Sequence, residues 1–155
     1  RVMPNTPAQI RKGISAWTAS KEVDRPTLDF VKDMLQAIGD EIRFTDEKNI
    51  DVATALSGSG PGYVFVFIEA LTDAGVELGL PVQTARDLAS QTVLGSAALQ
   101  RESGQHPAEL RNMVTSPGGT TAAGLASLEN GGFRGIIADA VRAAFERGED
   151  LAGGK

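Results

Sequence analysis

The sequence predicts a mainly α-helical fold, with a helical domain over residues 46–155 preceded, over residues 1–45, by the edge of an incomplete α/β sheet. Three observations lead there. Residues 1–45 alternate strand and helix signals but hold too few of them for a doubly wound sheet, which needs several more βα units. From Asp46 onward the chain turns rich in Ala and Gly, and its apolar residues recur at helical spacing. The segment from Phe133 to Glu149 carries the clearest amphipathic pattern.

Arg1 to Pro4 reads as a short strand already in progress, with no initiator Met, so the chain is expected to be part of a longer one. Pro4-Asn5-Thr6-Pro7 reads as a turn, because two prolines fix φ and remove two donors. Gly13 to Ala19 reads as a second strand. Asp24 is placed to cap a helix over 25–38, whose apolar positions Leu28, Val31, Leu35 and Ile38 share one face and which Gly39 ends. Glu41 to Phe44 reads as a third strand.

A helix over 46–56 follows, broken by Ser57-Gly58-Ser59-Gly60-Pro61. Tyr63 to Ile68 is apolar enough to be a buried strand. Apolar spacing that continues through Ala70, Leu71 and Ala74 to Leu78 gives a length strands do not reach, which favours a helix, and one apolar all round at its start should be buried on every side. Pro81 opens a helix with a stripe of small residues at Ala85, Leu88, Ala89, Thr92, Val93, Ser96 and Ala97, which should let helix axes approach closely. Further helices are expected over 107–114, 120–129 and 133–149. Phe133, Ile136, Ile137, Ala140, Val141, Ala144 and Phe145 share a face of the last one, and Gly153-Gly154-Lys155 should fray.

Composition narrows the function classes. A chain of 155 residues with 41% apolar and 23% charged residues suits a globular protein rather than a disordered one. Without cysteine it has no disulfide, no Cys-ligated zinc or iron–sulfur cluster and no thiol catalysis. A net charge of −5 and a pI near 4.9 argue against a nucleic-acid partner, which needs a basic face. No run approaches the roughly 18 apolar residues of a membrane span and no signal peptide opens the chain, so no membrane partner and a cytoplasmic location are expected.

The organising stretch is Val114-Thr115-Ser116-Pro117-Gly118-Gly119-Thr120-Thr121, a polar turn between two helical patterns. Two glycines bare the backbone N–H groups, and Thr120 or Thr121 is placed to cap the following helix. A helix N-terminus carries roughly +0.5 of an elementary charge, so the turn suits a carboxylate or phosphate. The same residues also serve as ordinary punctuation between helices, so both readings stand at this point. His106, the sole histidine, reads as a surface residue at a helix start; with no second His and no Cys, no metal site is expected.

The run from Pro107 to Glu129, Pro-Ala-Glu-Leu-Arg-Asn-Met-Val-Thr-Ser-Pro-Gly-Gly-Thr-Thr-Ala-Ala-Gly-Leu-Ala-Ser-Leu-Glu, resembles the signature of the pyrroline-5-carboxylate reductase family. Arg1-Val-Met-Pro-Asn-Thr-Pro7, Leu56-Ser-Gly-Ser-Gly-Pro-Gly-Tyr63 and Glu129-Asn-Gly-Gly-Phe-Arg134 resemble the same family in the same order. The resemblance implies a Rossmann domain binding NADPH or NADH, here represented by its end over 1–45. It also implies an all-helical dimerisation and substrate-binding domain over 46–155, like the C-terminal domain of 6-phosphogluconate dehydrogenase. It further implies a homodimer, of the kind that in the family is often assembled into larger rings. The glycine-rich dinucleotide turn is absent and is expected upstream of Arg1, so these residues alone should be inactive.

The chemistry so implied is hydride transfer from NAD(P)H to the C=N carbon of 1-pyrroline-5-carboxylate, giving proline in the last step of proline biosynthesis. Ser116, Gly118, Gly119, Thr120 and Thr121 are the expected substrate-binding residues, with the N–H groups of Gly119, Thr120 and Thr121 and the Ser116 hydroxyl converging on the carboxylate. Thr121 resembles the family position whose hydroxyl meets the ring nitrogen and is the catalytic candidate. Pro4, Asn5 and Thr6 resemble the loop beside the nicotinamide, although a polar turn with local side-chain bonds explains Asn5 and Thr6 equally well. The chain departs from the family at Gln105 and Asn112, where acidic residues are common, and at Gly62, where Ala is common. Two other readings remain: a related hydroxyacid-type dehydrogenase, which would need a catalytic lysine such as Lys48 or Lys32, and a helical oligomerisation module without activity of its own.

Overall fold

The computed structural model describes residues 1–153 and divides into two compact units, one formed by residues 1–64 with the segment from Ala138 onward, the other by Phe65–Ile137. The first unit holds a three-stranded sheet in the order β1 (Val2–Met3), β2 (Gly13–Trp17), β3 (Gly39–Arg43). β1 runs antiparallel to β2, with Met3 opposite Ala16; β2 and β3 run parallel, from Gly13 opposite Gly39 to Trp17 opposite Arg43. Parallel neighbours need a crossover, which α1 (Arg25–Gln36) supplies.

α1 forms where its cap and stripe place it. The Asp24 carboxylate accepts the Thr27 N–H at 3.0 Å. Leu35 is buried while Leu28, Val31 and Ile38 are half-buried, so the expected apolar face is the one turned inward. Trp17, also buried, donates its indole N–H to Glu41 at 2.6 Å and lies under the Arg43 guanidinium, 5.4 Å from the ring centre. α2 (Lys48–Ala53) packs on β1 and β2 and encloses Ile50 completely.

Two local expectations are corrected in this unit. The turn at Pro4–Pro7 extends into a 3₁₀ turn, Thr6–Ile10, because Asn5 accepts the Ala8 N–H through its carbonyl and Pro7 suits the first turn of a helix. The break expected at Ser57–Pro61 is not a break. The backbone passes from α2 through one π-helical turn, Thr54–Gly58, and a helical Ser59 directly into α3 (Gly60–Glu77). Thr54 donates its hydroxyl to the Ile50 carbonyl at 2.7 Å, a back-bond that bends helices at such points.

Beyond α3 come α4 (Val82–Ser103), α5 (Pro107–Met113), α6 (Thr120–Asn130) and α7 (Phe133–Ala152), within a residue or so of the expected helices except at the C-terminal ends of α4 and α7. Small residues do bring helices together in the second unit: a methyl at Gly75 of α3 would lie 3.1 Å from the Ala85 side chain of α4. Burial along the stripe is confined to Ala85 and Ala89, with Val93 half-buried. Phe67 and Phe133 meet with ring centres 6.2 Å apart.

The expectation that the start of α3 is buried all round is overturned for the single chain, where Phe65 is 58% and Val66 64% exposed. α7 likewise buries no residue, and Ile136 is 61% exposed. A helix apolar on every side needs neighbours on every side, and one copy of this chain supplies too few. Of the frayed end expected at Gly153–Lys155, Gly153 is held by a 2.8 Å bond to the Glu149 carbonyl; Gly154 and Lys155 lie outside the described residues.

Candidate functional site

The turn between α5 and α6 is built by a few local interactions. Upstream, the Thr115 hydroxyl donates to the Arg111 carbonyl at 2.6 Å and its N–H to the Asn112 carbonyl at 3.1 Å, which fixes the departure from α5. Ser116-Pro117-Gly118-Gly119 then closes with a 3.0 Å bond from the Gly119 N–H to the Ser116 carbonyl. Pro117 at the second position and Gly118 at the third, with φ +69°, match a type II turn, whose third position favours glycine. Gly119 is needed for space: a methyl there would sit 2.4 Å from the Ser116 hydroxyl oxygen and 3.1 Å from the Ser116 carbonyl.

This geometry corrects two expectations. The N-cap is Gly119, not a threonine, and it makes no side-chain cap bond; Thr120 and Thr121 are the first two residues of α6. Gly119 also spends its N–H inside the turn, so it cannot be one of the donors to a ligand. The first α-helical bond runs from the Ala123 N–H to the Gly119 carbonyl at 3.2 Å, so the N–H groups of Thr120, Thr121 and Ala122 have no intrahelical acceptor. Ala122 is a donor that reading side chains misses, since its contribution is its place in the first turn. Ser116 and Thr120 are exposed and Thr121 half-buried, so all three hydroxyls are accessible from the surface.

Neighbouring residues take structural parts. His106 accepts the Ala108 N–H through Nδ1 at 3.2 Å, and its own N–H donates to the Glu109 carboxylate at 3.2 Å, a closed capping box that agrees with its reading as a helix-start residue. Asn112 accepts from the Arg111 guanidinium at 3.1 Å. Among the described residues no group of three His, Cys, Asp or Glu converges as a metal site would require, and no helix is long and apolar enough to cross a membrane.

Pro4, Asn5 and Thr6 follow β1 in the first unit. Asn5 does not make the local bond weighed for it: its side-chain carbonyl accepts the Ile14 N–H of β2 at 3.0 Å, tying the loop to the next strand and leaving the amide NH₂ for other partners. Pro4 and Thr6 are exposed. The alternative lysines are ordinary surface groups: Lys48 and Lys32 are both exposed, Lys48 in the first turn of α2 and Lys32 on α1 in an open groove beside Asp29 and Glu41.

Comparison with known proteins agrees with this architecture. The family described as pyrroline-5-carboxylate reductase dimerisation matches residues 47–151. A pyrroline-5-carboxylate reductase of Synechocystis is 49% identical over 97% of this chain and 56% of its own length, and one of Pisum sativum 47% identical over 98% and 55%. The solved pyrroline-5-carboxylate reductase of Coxiella burnetii superposes with a TM-score of 0.94 at 41% identity, over 97% of this chain and 56% of that one. That of Plasmodium falciparum, solved with NADP bound, gives 0.91 at 39% identity, over 97% and 61%. The chain thus spans about half the length of the relatives it matches. On the match over 47–151, the chain belongs to the pyrroline-5-carboxylate reductase dimerisation family.

Proposed function

We propose that this chain supplies the substrate-binding and dimerisation part of a reductase that converts 1-pyrroline-5-carboxylate to proline, the last step of proline biosynthesis, in the cytoplasm. Residues 1–45 act as the end of a dinucleotide-binding Rossmann domain and 46–155 as the helical domain. The observation that carries the reading is the turn at Ser116–Gly119, after which the N–H groups of Thr120, Thr121 and Ala122 open α6 without an intrahelical acceptor.

That turn does the work of an anion cradle without a basic side chain. A carboxylate there gains charge-assisted bonds of about 1.5–3 kcal/mol each together with the favourable end of the helix dipole. Anchoring the acid group fixes which face of the ring is presented, and most of the catalytic gain available to such a site is orientation. The Thr121 hydroxyl meets the ring nitrogen, orienting it and relaying the amine proton. A cyclic imine that arrives protonated needs no stronger acid, and His106 and Glu109, at the start of α5, are engaged in capping that helix.

The nicotinamide of NADPH or NADH supplies the hydride. Pro4 and Thr6, exposed after β1, with the amide NH₂ of Asn5, are suited to line one side of that ring. The Plasmodium falciparum relative, solved with NADP, supports the cofactor class. A homodimer, or a larger ring built of such dimers, covers the exposed faces of α3 and α7; the family's dimerisation description supports the dimer. The test is NADPH oxidation driven by 1-pyrroline-5-carboxylate in the full-length protein, with a crystal grown in proline. Turnover with the product carboxylate on the N–H groups of Thr120 and Thr121 is expected; proline bound elsewhere with this turn empty refutes the assignment.

A further inference from the structure

We propose that Tyr63 is a positioning residue for the loop Pro4–Thr6, acting through the π-turn at Thr54–Gly58; this rests on reading that loop as the nicotinamide-facing segment. In the π-turn the Ser59 N–H bonds to the Thr54 carbonyl at 2.8 Å instead of to Ala55, the partner an α-helix would give it. The Ser59 N–H is thereby withdrawn from the Ala55 carbonyl, and Ala55 is 1% exposed. The Tyr63 hydroxyl, one turn into α3, reaches back and donates to that carbonyl at 3.2 Å. The phenol thus replaces the bond that the π register removes, and a buried carbonyl without a partner is what would otherwise drive the turn back to α geometry.

The π-turn touches the loop through β1. Gly58 lies against Met3 so closely that a methyl on it would be 3.3 Å from the Met3 sulfur. Met3 ends β1, immediately before Pro4. At the other end of the strand Arg1 pairs with Glu47 at 3.3 Å and with Asp51. β1 is therefore clamped at both ends onto the helical stretch 47–58, while Asn5 ties the loop to β2. Relaxing the π-turn withdraws Gly58 from Met3 and releases the loop on one side only.

The experiment compares Tyr63→Phe with wild type in the full-length protein. Hydrogen exchange at the Ser59 amide and through residues 3–8 should quicken, with α4 to α6 unchanged. The KM for NADPH should rise severalfold, up to about tenfold for the net worth of one hydrogen bond, while the KM for the imine acid holds. Gly58→Ala keeps the tyrosine bond but presses on Met3 and should raise the same KM. Unchanged exchange over residues 3–8 in Tyr63→Phe overturns the coupling. A change in both KM values together, or in neither, overturns the positioning role. A wild-type protein with no NADPH oxidation instead overturns the functional reading, and the exchange measurement still decides the coupling.

Discussion

Replacing Gly119 by alanine tests the turn at its tightest point. The backbone there, φ −78° and ψ 169°, is one that alanine adopts readily, so no dihedral strain is introduced. The cost is contact: the new methyl would lie 2.4 Å from the Ser116 hydroxyl oxygen, well inside van der Waals distance, and 3.1 Å from the Ser116 carbonyl. The hydroxyl must turn to another rotamer, and the carbonyl must give by a few tenths of an ångström. Alanine is also a poorer N-cap than glycine, so stability should fall by roughly 1 kcal/mol, a few degrees in Tm for a chain of this size. The larger effect should be on the substrate. Loss of one charge-assisted bond to the carboxylate is worth about 1.5–3 kcal/mol, or about 10- to 150-fold in kcat/KM for 1-pyrroline-5-carboxylate. A double-mutant cycle separates this from general damage: with the hydroxyl already gone in Ser116→Ala, adding Gly119→Ala should cost little more. Steady-state NADPH oxidation and a thermal melt on the four proteins measure both. Full additivity of the two substitutions, or a Gly119→Ala enzyme with wild-type kcat/KM, would refute the claim that this hydroxyl holds the acid group.

Thr121→Ala should lower kcat/KM by at least about tenfold, the worth of one such hydrogen bond, with the helical circular dichroism unchanged; wild-type turnover removes Thr121 from the reaction. Phe65→Glu places a charge on an already exposed position of α3. It should leave helix content intact and shift the protein from dimer to monomer in sedimentation, whereas an unchanged dimer assigns the interface to another face. Gly62→Ala meets nothing within 4 Å in the first turn of α3, so it should stabilise the protein by up to about 1 kcal/mol; a lower melting temperature refutes this. The Asp24 carboxyl is held below its usual pKa by its bonds to the Thr27 side chain and N–H. A depressed carboxylate pKa gives stability that is present above its unfolded value, near 4, and lost as pH falls through the lower folded value. Asp24→Ala should therefore lower Tm at neutral pH and differ less from wild type in strong acid; a constant gap across that range contradicts the cap.

Much of the fold was legible because its signals are local. Asp24 three residues before Thr27, the period of Leu28, Val31, Leu35 and Ile38, and the proline that opens α5 each act within a turn or two of chain, and each element formed where those signals put it. The candidate turn was legible for the same reason, since Ser116-Pro117-Gly118-Gly119 closes on itself. The sequence did not reveal that closing it would use the Gly119 N–H, because a hydrogen bond inside a turn depends on the conformation chosen and not on composition.

What the amino-acid order alone determined was, to within a few residues, where most helices and strands lie, which faces are apolar, and that a hydroxyl- and glycine-rich turn precedes a helix; Gly39, read as a helix end, instead opens β3. Tertiary structure decided the rest. Asn5 reaches Ile14, nine residues on. The run Ser57-Gly58-Ser59-Gly60 becomes part of a continuous helical path instead of a loop, its π register held by Tyr63 and its glycine seated against Met3. The apolar start of α3 stays uncovered within one copy. Periodicity records that a side chain prefers to leave water. Which surface covers it, and which distant group receives a displaced hydrogen bond, is settled only when segments far apart in the chain compete for the same space.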